Sequence, residues 1–261
     1  MRAEENPVWL EEDGAVARLI LTHPPLNALS ASLVDALDRA VRHLAACPEL
    51  KVVHLRSNQR VFSAGGDLKF IGSVMESSTP GRLMRAYVNR IQQLFERIET
   101  LPAITVCQLD GPAYGGGLEL TLACDFRIAS DRASFGLPEV GLGLLPAAGG
   151  TQRLTRLVGA CAARRIILLG ETLNASAARD IGLIDQVLPA DQCPNGVQTL
   201  IDTIRSKPRK ALLAAKACMA EAFDVSGRGF QAEAERITEL VESAETRALV
   251  TSFLQASERR G

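Results

Sequence analysis

Histidine is scarce in this 261-residue chain, and its three copies, His23, His43 and His54, all precede residue 55. A Ser–His or Cys–His nucleophile would therefore have to borrow its base from far along the chain, which argues against triad hydrolysis. There is no H-E-x-x-H, no G-x-x-x-x-G-K-[ST] and no G-x-G-x-x-G with a following ribose-binding acid, so metal, nucleoside-triphosphate and nicotinamide chemistry lose support. The six cysteines, Cys47, Cys107, Cys124, Cys161, Cys193 and Cys218, form no C-x-x-C pair and read as reduced, structural thiols. A net charge of -1 gives neither sign the dominance that a nucleic acid or an acidic membrane would select. No segment has the roughly eighteen consecutive apolar residues of a membrane span. The opening Met1-Arg2-Ala3-Glu4-Glu5-Asn6-Pro7 is charged and broken by proline, unlike a secretory signal, so a soluble, cytoplasmic protein is expected. Fixed-period repeats and low-complexity tracts are missing as well.

What is present is an ordinary globular balance, 47% hydrophobic and 23% charged. Short β-branched runs at 15–21, 51–56, 104–109 and 126–129 read as strands, the last three buried. Between them, 30–46 and 82–100 carry apolar residues at helical spacing, with Ser30 as a fitting N-cap. Strand, helix, strand alternation predicts an α/β fold with a largely parallel sheet and crossovers. Beyond residue 150 the strand signal fades, and 152–158, 160–169, 175–181, 191–205, 208–223 and 230–256 read as helices. In the last of these, Phe230, Ala234, Ile237, Val241, Ala244, Ala248 and Phe253 form one apolar stripe, to be covered by the chain's own core or by a neighbouring subunit.

Two glycine turns and two glutamates carry the chemical signal. Phe62-Ser63-Ala64-Gly65-Gly66-Asp67-Leu68 reads as an extended segment turning into a helix, and Asp110-Gly111-Pro112-Ala113-Tyr114-Gly115-Gly116-Gly117 follows a strand and precedes another helix. Glycine permits positive φ and close approach of a ligand to the backbone, and a helix start concentrates unpaired N–H groups. Either turn alone marks no more than a bend. Together they could aim two N–H donors at one developing oxyanion. Glu119 falls in the first turn of the second helix and Glu139 in Phe135-Gly136-Leu137-Pro138-Glu139. The helix dipole would lower the proton affinity of Glu119 and its neighbours Leu118, Leu120, Leu122 and Ala123 would raise it, so the direction stays open. Glu119 could also serve the dipole alone, and Glu139 could merely cap a loop.

These segments, with Pro25-Leu26-Asn27-Ala28-Leu29, Cys124-Asp125 and Pro138-Glu139-Val140-Gly141 through Gly149-Gly150-Thr151-Gln152-Arg153-Leu154, occur in an order that resembles the enoyl-CoA hydratase/isomerase, or crotonase, family over essentially the whole chain. The resemblance implies a crotonase-like spiral of β-β-α units (1–200) followed by a helical C-terminal region (201–261) that builds trimers, usually paired into hexamers. It implies that the N–H groups of Gly66 and Gly116 hold the thioester oxygen of an acyl-CoA. Leu26, Asn27, Ala28, Ala64, Asp67, Leu68, Lys69 and Phe70 would line the coenzyme A and acyl site, and residues 70–85 the acyl wall. Glu119 would take a proton from water as hydroxide adds to Cβ, and Glu139 would deliver one to Cα. Coenzyme A belongs to the substrate, and neither a separate cofactor nor a metal is implied.

The presence of both glutamates favours hydration over double-bond isomerisation, whose catalysts in the family generally lack one of them. Isomerisation, or hydration of a cyclic or branched enoyl-CoA, is the alternative. Two places depart from the family pattern: His23-Pro24-Pro25-Leu26, where a basic residue is common, and the closing Phe253-Leu254-Gln255-Ala256-Ser257-Glu258-Arg259-Arg260, where a lysine is. Lys69, Arg259 and Arg260 are then the candidates to meet the coenzyme A phosphates. Some relatives bind RNA. The basic cluster Arg205, Lys207, Arg209 and Lys210 has no stacking aromatic residue beside it, so it reads as a solvated helix start and no nucleic-acid partner is expected.

Overall fold

The structure is a computed structural model and describes residues 6–223 together with Thr246 and Ala248. The expected apolar stripe of the terminal helix and the basic residues Arg259 and Arg260 lie outside the described residues, apart from Ala248. Two compact units divide at Asp202 and Thr203.

The first unit opens with a hairpin. β1 (Val8–Asp13) and β2 (Val16–Leu21) pair antiparallel, with Val16 opposite Asp13. Gly14 supplies the positive φ (59°) that so tight a turn demands. β2 then begins a parallel series with β3 (Val52–Ser57), β4 (Ile104–Leu109), β6 (Phe126–Ser130) and β9 (Gln186–Leu188), giving the order β1-β2-β3-β4-β6-β9. All six residues of β4 are buried, because helices and loops cover both faces of a central parallel strand. β5 (Ala113–Tyr114), β7 (Ser134–Gly136) and β8 (Leu173–Asn174) form a second small sheet.

α1 (Ala31–Ala45) starts where the Ser30 hydroxyl accepts the Leu33 N–H, as the sequence predicts. It buries Leu33, Val34, Leu37, Val41 and Leu44 and packs against α3 (Pro80–Glu99), which contributes Ile91, Leu94, Phe95 and Ile98. Each such side chain taken from water contributes about 1.5–3 kcal/mol, so this two-helix layer anchors the sheet. α2 (Leu68–Met75) and α4 (Gly116–Leu122) are the helices that the two glycine turns open. α5 (Gly150–Leu168) is broken at Gly159 (φ 76°, ψ 162°), matching the two shorter helices read from sequence. α6 (Ala175–Asp180) completes this layer of helices, and α7 (Cys193–Arg205) runs to the boundary of the unit and beyond it. The second unit holds the last turn of α7, α8 (Arg209–Ala220) and a 3-10 turn at Glu221–Phe223. The basic cluster spans the end of α7 and the start of α8.

The expectation of no strands after residue 150 is corrected by β8 and β9, the latter closing the edge of the main sheet. Each is only two or three residues long, too short for alternation to register. β1 escaped the sequence reading because Glu11, Glu12 and Asp13 mask the inward alternation of Val8 and Leu10.

Candidate active site

The two glycine turns abut. Ser63 O accepts the Tyr114 N–H (3.0 Å) and Pro112 O accepts the Phe62 N–H (2.8 Å), joining the strands that lead into them. Gly65 has φ 93°, and a Cβ there would lie 2.7 Å from Tyr114 O and 2.9 Å from Gly116 N. No side chain fits that gap. A Cβ on Gly116 would stand 3.6 Å from Gly66 N, so the two backbone N–H groups are neighbours. Neither is bonded to an acceptor among the described residues. For Gly116 this follows from its place as the first residue of α4, whose opening N–H groups have no partner within the helix.

Glu119 sits one turn further along α4 and is 3% exposed. Its Oε1 accepts the N–H groups of Ala148 (2.8 Å) and Gly150 (2.7 Å), at the start of α5. Gly150 has to be small: a Cβ there would meet Glu119 Oε1 at 2.8 Å. Arg153 steadies this turn, bonding Ala148 O (3.1 Å) and pairing with Glu99 (2.7 Å). Burial pushes the Glu119 carboxyl up to about 7, and the nearby Glu139 charge adds to the rise. The two N–H bonds and Arg153 pull the other way and lose.

Glu139 lies in a 3-10 turn, Pro138–Leu142, and approaches the second glycine turn so closely that a Cβ on Gly115 (φ 52°) would be 2.8 Å from its Oε1. Its Oε2 is buried and has no hydrogen-bond partner among the described residues. Burial raises its proton affinity too. A buried oxygen left bare costs on the order of 1–3 kcal/mol, which marks a place where a proton, water or ligand group is wanted. The structure therefore brings Gly66, Gly116, Glu119 and Glu139 together.

The remaining sequence candidates divide. Leu26 and Ala64 are exposed and joined through the Ala64 N–H to Leu26 O (2.9 Å), with half-buried Ala28 beside them. Leu68 and Lys69 are exposed on α2. Phe70 packs its ring on Tyr87, with centroids 4.9 Å apart. Asn27 and Asp67, in contrast, have their side chains engaged within the protein. Asn27 is fully buried, accepting the His23 N–H (2.8 Å) and donating to Ser57 Oγ (2.7 Å) and Phe62 O (2.9 Å). Asp67 caps α2, its Oδ1 accepting the Lys69 and Phe70 N–H groups. Both side chains hold the turns in place. Tyr87 went unread in the sequence: its hydroxyl donates to Leu29 O (2.7 Å) and accepts the Asp67 N–H (3.4 Å), tying α3 to the backbone beside Gly66. A lone tyrosine on an amphipathic helix gives no warning of such a role.

Comparison with known proteins agrees with this geometry. The family described as enoyl-CoA hydratase/isomerase matches residues 11–260. The chain is 36% identical to enoyl-CoA isomerase/hydratase fer4 of Mycosarcoma maydis, over 95% of this chain and 94% of the relative. It is 32% identical to a short-chain-enoyl-CoA hydratase of Clostridium acetobutylicum, over 99% and 98%. Among solved structures, an enoyl-CoA hydratase from Bacillus anthracis superposes with a TM-score of 0.89 at 29% identity, covering 96% of each chain. Pseudomonas aeruginosa DspI gives 0.89 at 30%, covering 97% of this chain and 96% of that one.

Proposed function

Because the chain belongs to the enoyl-CoA hydratase/isomerase family, a crotonase-fold group of enzymes, we propose that it adds water across the 2,3 double bond of a 2-enoyl-CoA to give a 3-hydroxyacyl-CoA. One observation carries this reading: two adjoining N–H groups, on Gly66 and Gly116, unbonded among the described residues and flanked by two carboxyl groups of raised proton affinity. Conjugate addition moves negative charge onto the thioester oxygen, and preorganised N–H donors at that oxygen stabilise the transition state more than the ground state. Each such donor is worth roughly 3–4 kcal/mol of barrier.

In this scheme ionised Glu119 removes a proton from water while the hydroxide forms its bond to Cβ. The π electrons move to the thioester oxygen as an enolate, and protonated Glu139 delivers its proton to Cα. The product has gained one water, and the proton now on Glu119 returns to Glu139 directly or through solvent. The two carboxyls thus share one proton. The electrostatic rise of Glu119 by Glu139 suits such sharing, because a second negative charge is resisted.

Exposed Leu26, Ala64, Leu68 and Lys69, with Phe70 and Ala28, would line the approach of the coenzyme A and acyl portions, and Lys69 would meet a phosphate. Subunits would assemble as trimers or pairs of trimers, and the protein would work in the cytoplasm. Among the described residues no helix is long and apolar enough to cross a membrane. Isomerisation of a 3-enoyl-CoA is the second reading, favoured by the double name of the Mycosarcoma relative. It would pass through the same enolate.

Crotonyl-CoA separates the readings. Its conjugated thioester absorbance should disappear with the wild-type protein, and Glu119→Gln and Glu139→Gln should each slow that loss by about 10²–10⁴-fold. Full activity in the double variant would remove the mechanism. Turnover of a 3-enoyl-CoA with none of the 2-enoyl-CoA would favour isomerisation.

A further inference from the structure

On the hairpin side of the first unit, three side chains from distant parts of the sequence meet. His43 lies in the last turn of α1 and Cys47 follows just past its C-cap, Ala46, with its thiol turned back to His43 O (3.5 Å). Glu12 comes from β1, on the face shared by Val8 and Leu10, since alternate strand residues point the same way. His43 Nε2 stands 2.8 Å from Glu12 Oε1, Cys47 Sγ 3.7 Å from Glu12 Oε2, and Cys47 Sγ 4.0 Å from His43 Nε2. The three donor atoms lie within 4.8 Å of one another.

We propose that Glu12, His43 and Cys47 form a surface site for a borderline-soft divalent cation of the zinc class. With ordinary zinc bond lengths of about 2.0–2.3 Å and tetrahedral angles, donor atoms sit about 3.4–3.6 Å apart. With one carboxylate oxygen serving both partners, no two donor atoms stand further apart than 4.8 Å, so the adjustments needed are about 1.3 Å or less. Both ends can move, because the Glu12 and His43 side chains are 45% and 55% exposed. A thiolate, an imidazole and a carboxylate favour zinc, cobalt or cadmium over magnesium and calcium, which prefer oxygen alone. Binding releases the thiol proton to solvent, and the fourth coordination position is left to water. No sequence motif announces this set, since Glu12 belongs to a strand and the other two ligands to the end of a helix.

Cobalt(II) is the probe, because a cobalt–thiolate bond gives a near-ultraviolet charge-transfer band that carboxylate and imidazole sites lack. Titrating the full-length protein should saturate this band at one equivalent per chain, and zinc should displace it. Cys47→Ser should abolish the band, and His43→Ala should weaken cobalt binding at least about tenfold. Cys161→Ser, at the exposed cysteine elsewhere in the chain, should change neither. The proposal is overturned if no band forms, if the band survives Cys47→Ser, or if His43→Ala binds cobalt like the wild type. Far-ultraviolet circular dichroism of each variant checks that it folds.

Discussion

Replacing Glu119 by glutamine should make the protein more stable at alkaline pH while removing its activity. The carboxyl is 3% exposed and its proton affinity rises from the ordinary 4.5 to about 7. Between those two pH values the folded chain holds a proton that the unfolded chain has released, so stability falls as pH rises. The stabilising share of this group is fully present below pH 4.5 and is lost as pH climbs through about 7. At 1.36 kcal/mol per pH unit the whole effect is about 3 kcal/mol, most of which falls between pH 5 and pH 8.

Glutamine keeps the shape and an oxygen for the Ala148 and Gly150 N–H groups, and it has no charge to bury. Urea unfolding of wild type and Glu119→Gln at pH 5 and pH 8, followed by far-ultraviolet circular dichroism, measures the difference. Protomer concentration must be equal throughout, because any assembly shifts the apparent stability by mass action. The advantage of the variant should grow by about 2–3 kcal/mol between the two pH values, titrating groups distant from Glu119 cancelling in the comparison. A constant difference, or an advantage that shrinks toward pH 8, would refute the claim that burial governs this carboxyl.

The same ionisation should shape catalysis: the pair keeps its shared proton until pH passes about 7, so kcat/KM for crotonyl-CoA should fall as pH rises beyond that value. Gly65→Ala should lower kcat by about 10²–10³-fold, because its Cβ would press on Tyr114 O and Gly116 N, whereas Gly66→Ala meets only Ile71 Cδ1 at 3.2 Å and should be milder; steady-state kinetics of the pair tests this. Asn27→Ala should cost about 2 kcal/mol or more in urea unfolding, since it strips partners from His23 N–H, Ser57 and Phe62 O in a fully buried place.

The local machinery was legible where chemistry and backbone share a few consecutive residues. Gly65 and Gly115 adopt the positive φ that their turns suggested, and Ser30 caps α1 as its position implied. Glu119 could be found from its place at a helix start, but the sign of its shift could not. That sign depends on burial, which outweighs hydrogen bonds from Ala148 and Gly150 about thirty residues downstream. Asn27 and Asp67 stand in the expected segments, but the internal bonds of their side chains could not be read, because a polar side chain near a site satisfies the backbone as readily as a ligand. β8 and β9 are defined by their partners, Ser134 and Phe135 for one and Ile128 to Ser130 for the other, and carry almost no pattern of their own. Tyr87 is invisible for the same reason: its meaning lies in Leu29 O and the Asp67 N–H.

The departures from good local practice are concentrated in one place. Buried polar side chains of the main sheet, such as His54 and Arg127, have hydrogen-bond partners, and among the described residues Glu139 Oε2 is the one buried side-chain oxygen or nitrogen without one. Around Gly66 and Gly116, among the described residues, two N–H groups stand unbonded, a buried glutamate oxygen has no partner, and a second carboxyl is held where its charge is resisted. Each defect costs stability, and consistent sequences tolerate such costs chiefly where function needs them. A thioester oxygen would satisfy the two N–H groups, and a water would give Glu139 Oε2 its missing partner. In the proposed reaction an acyl thioester and a water would fill these bonding positions, so the occupancy that relieves the cost would also set up the chemistry.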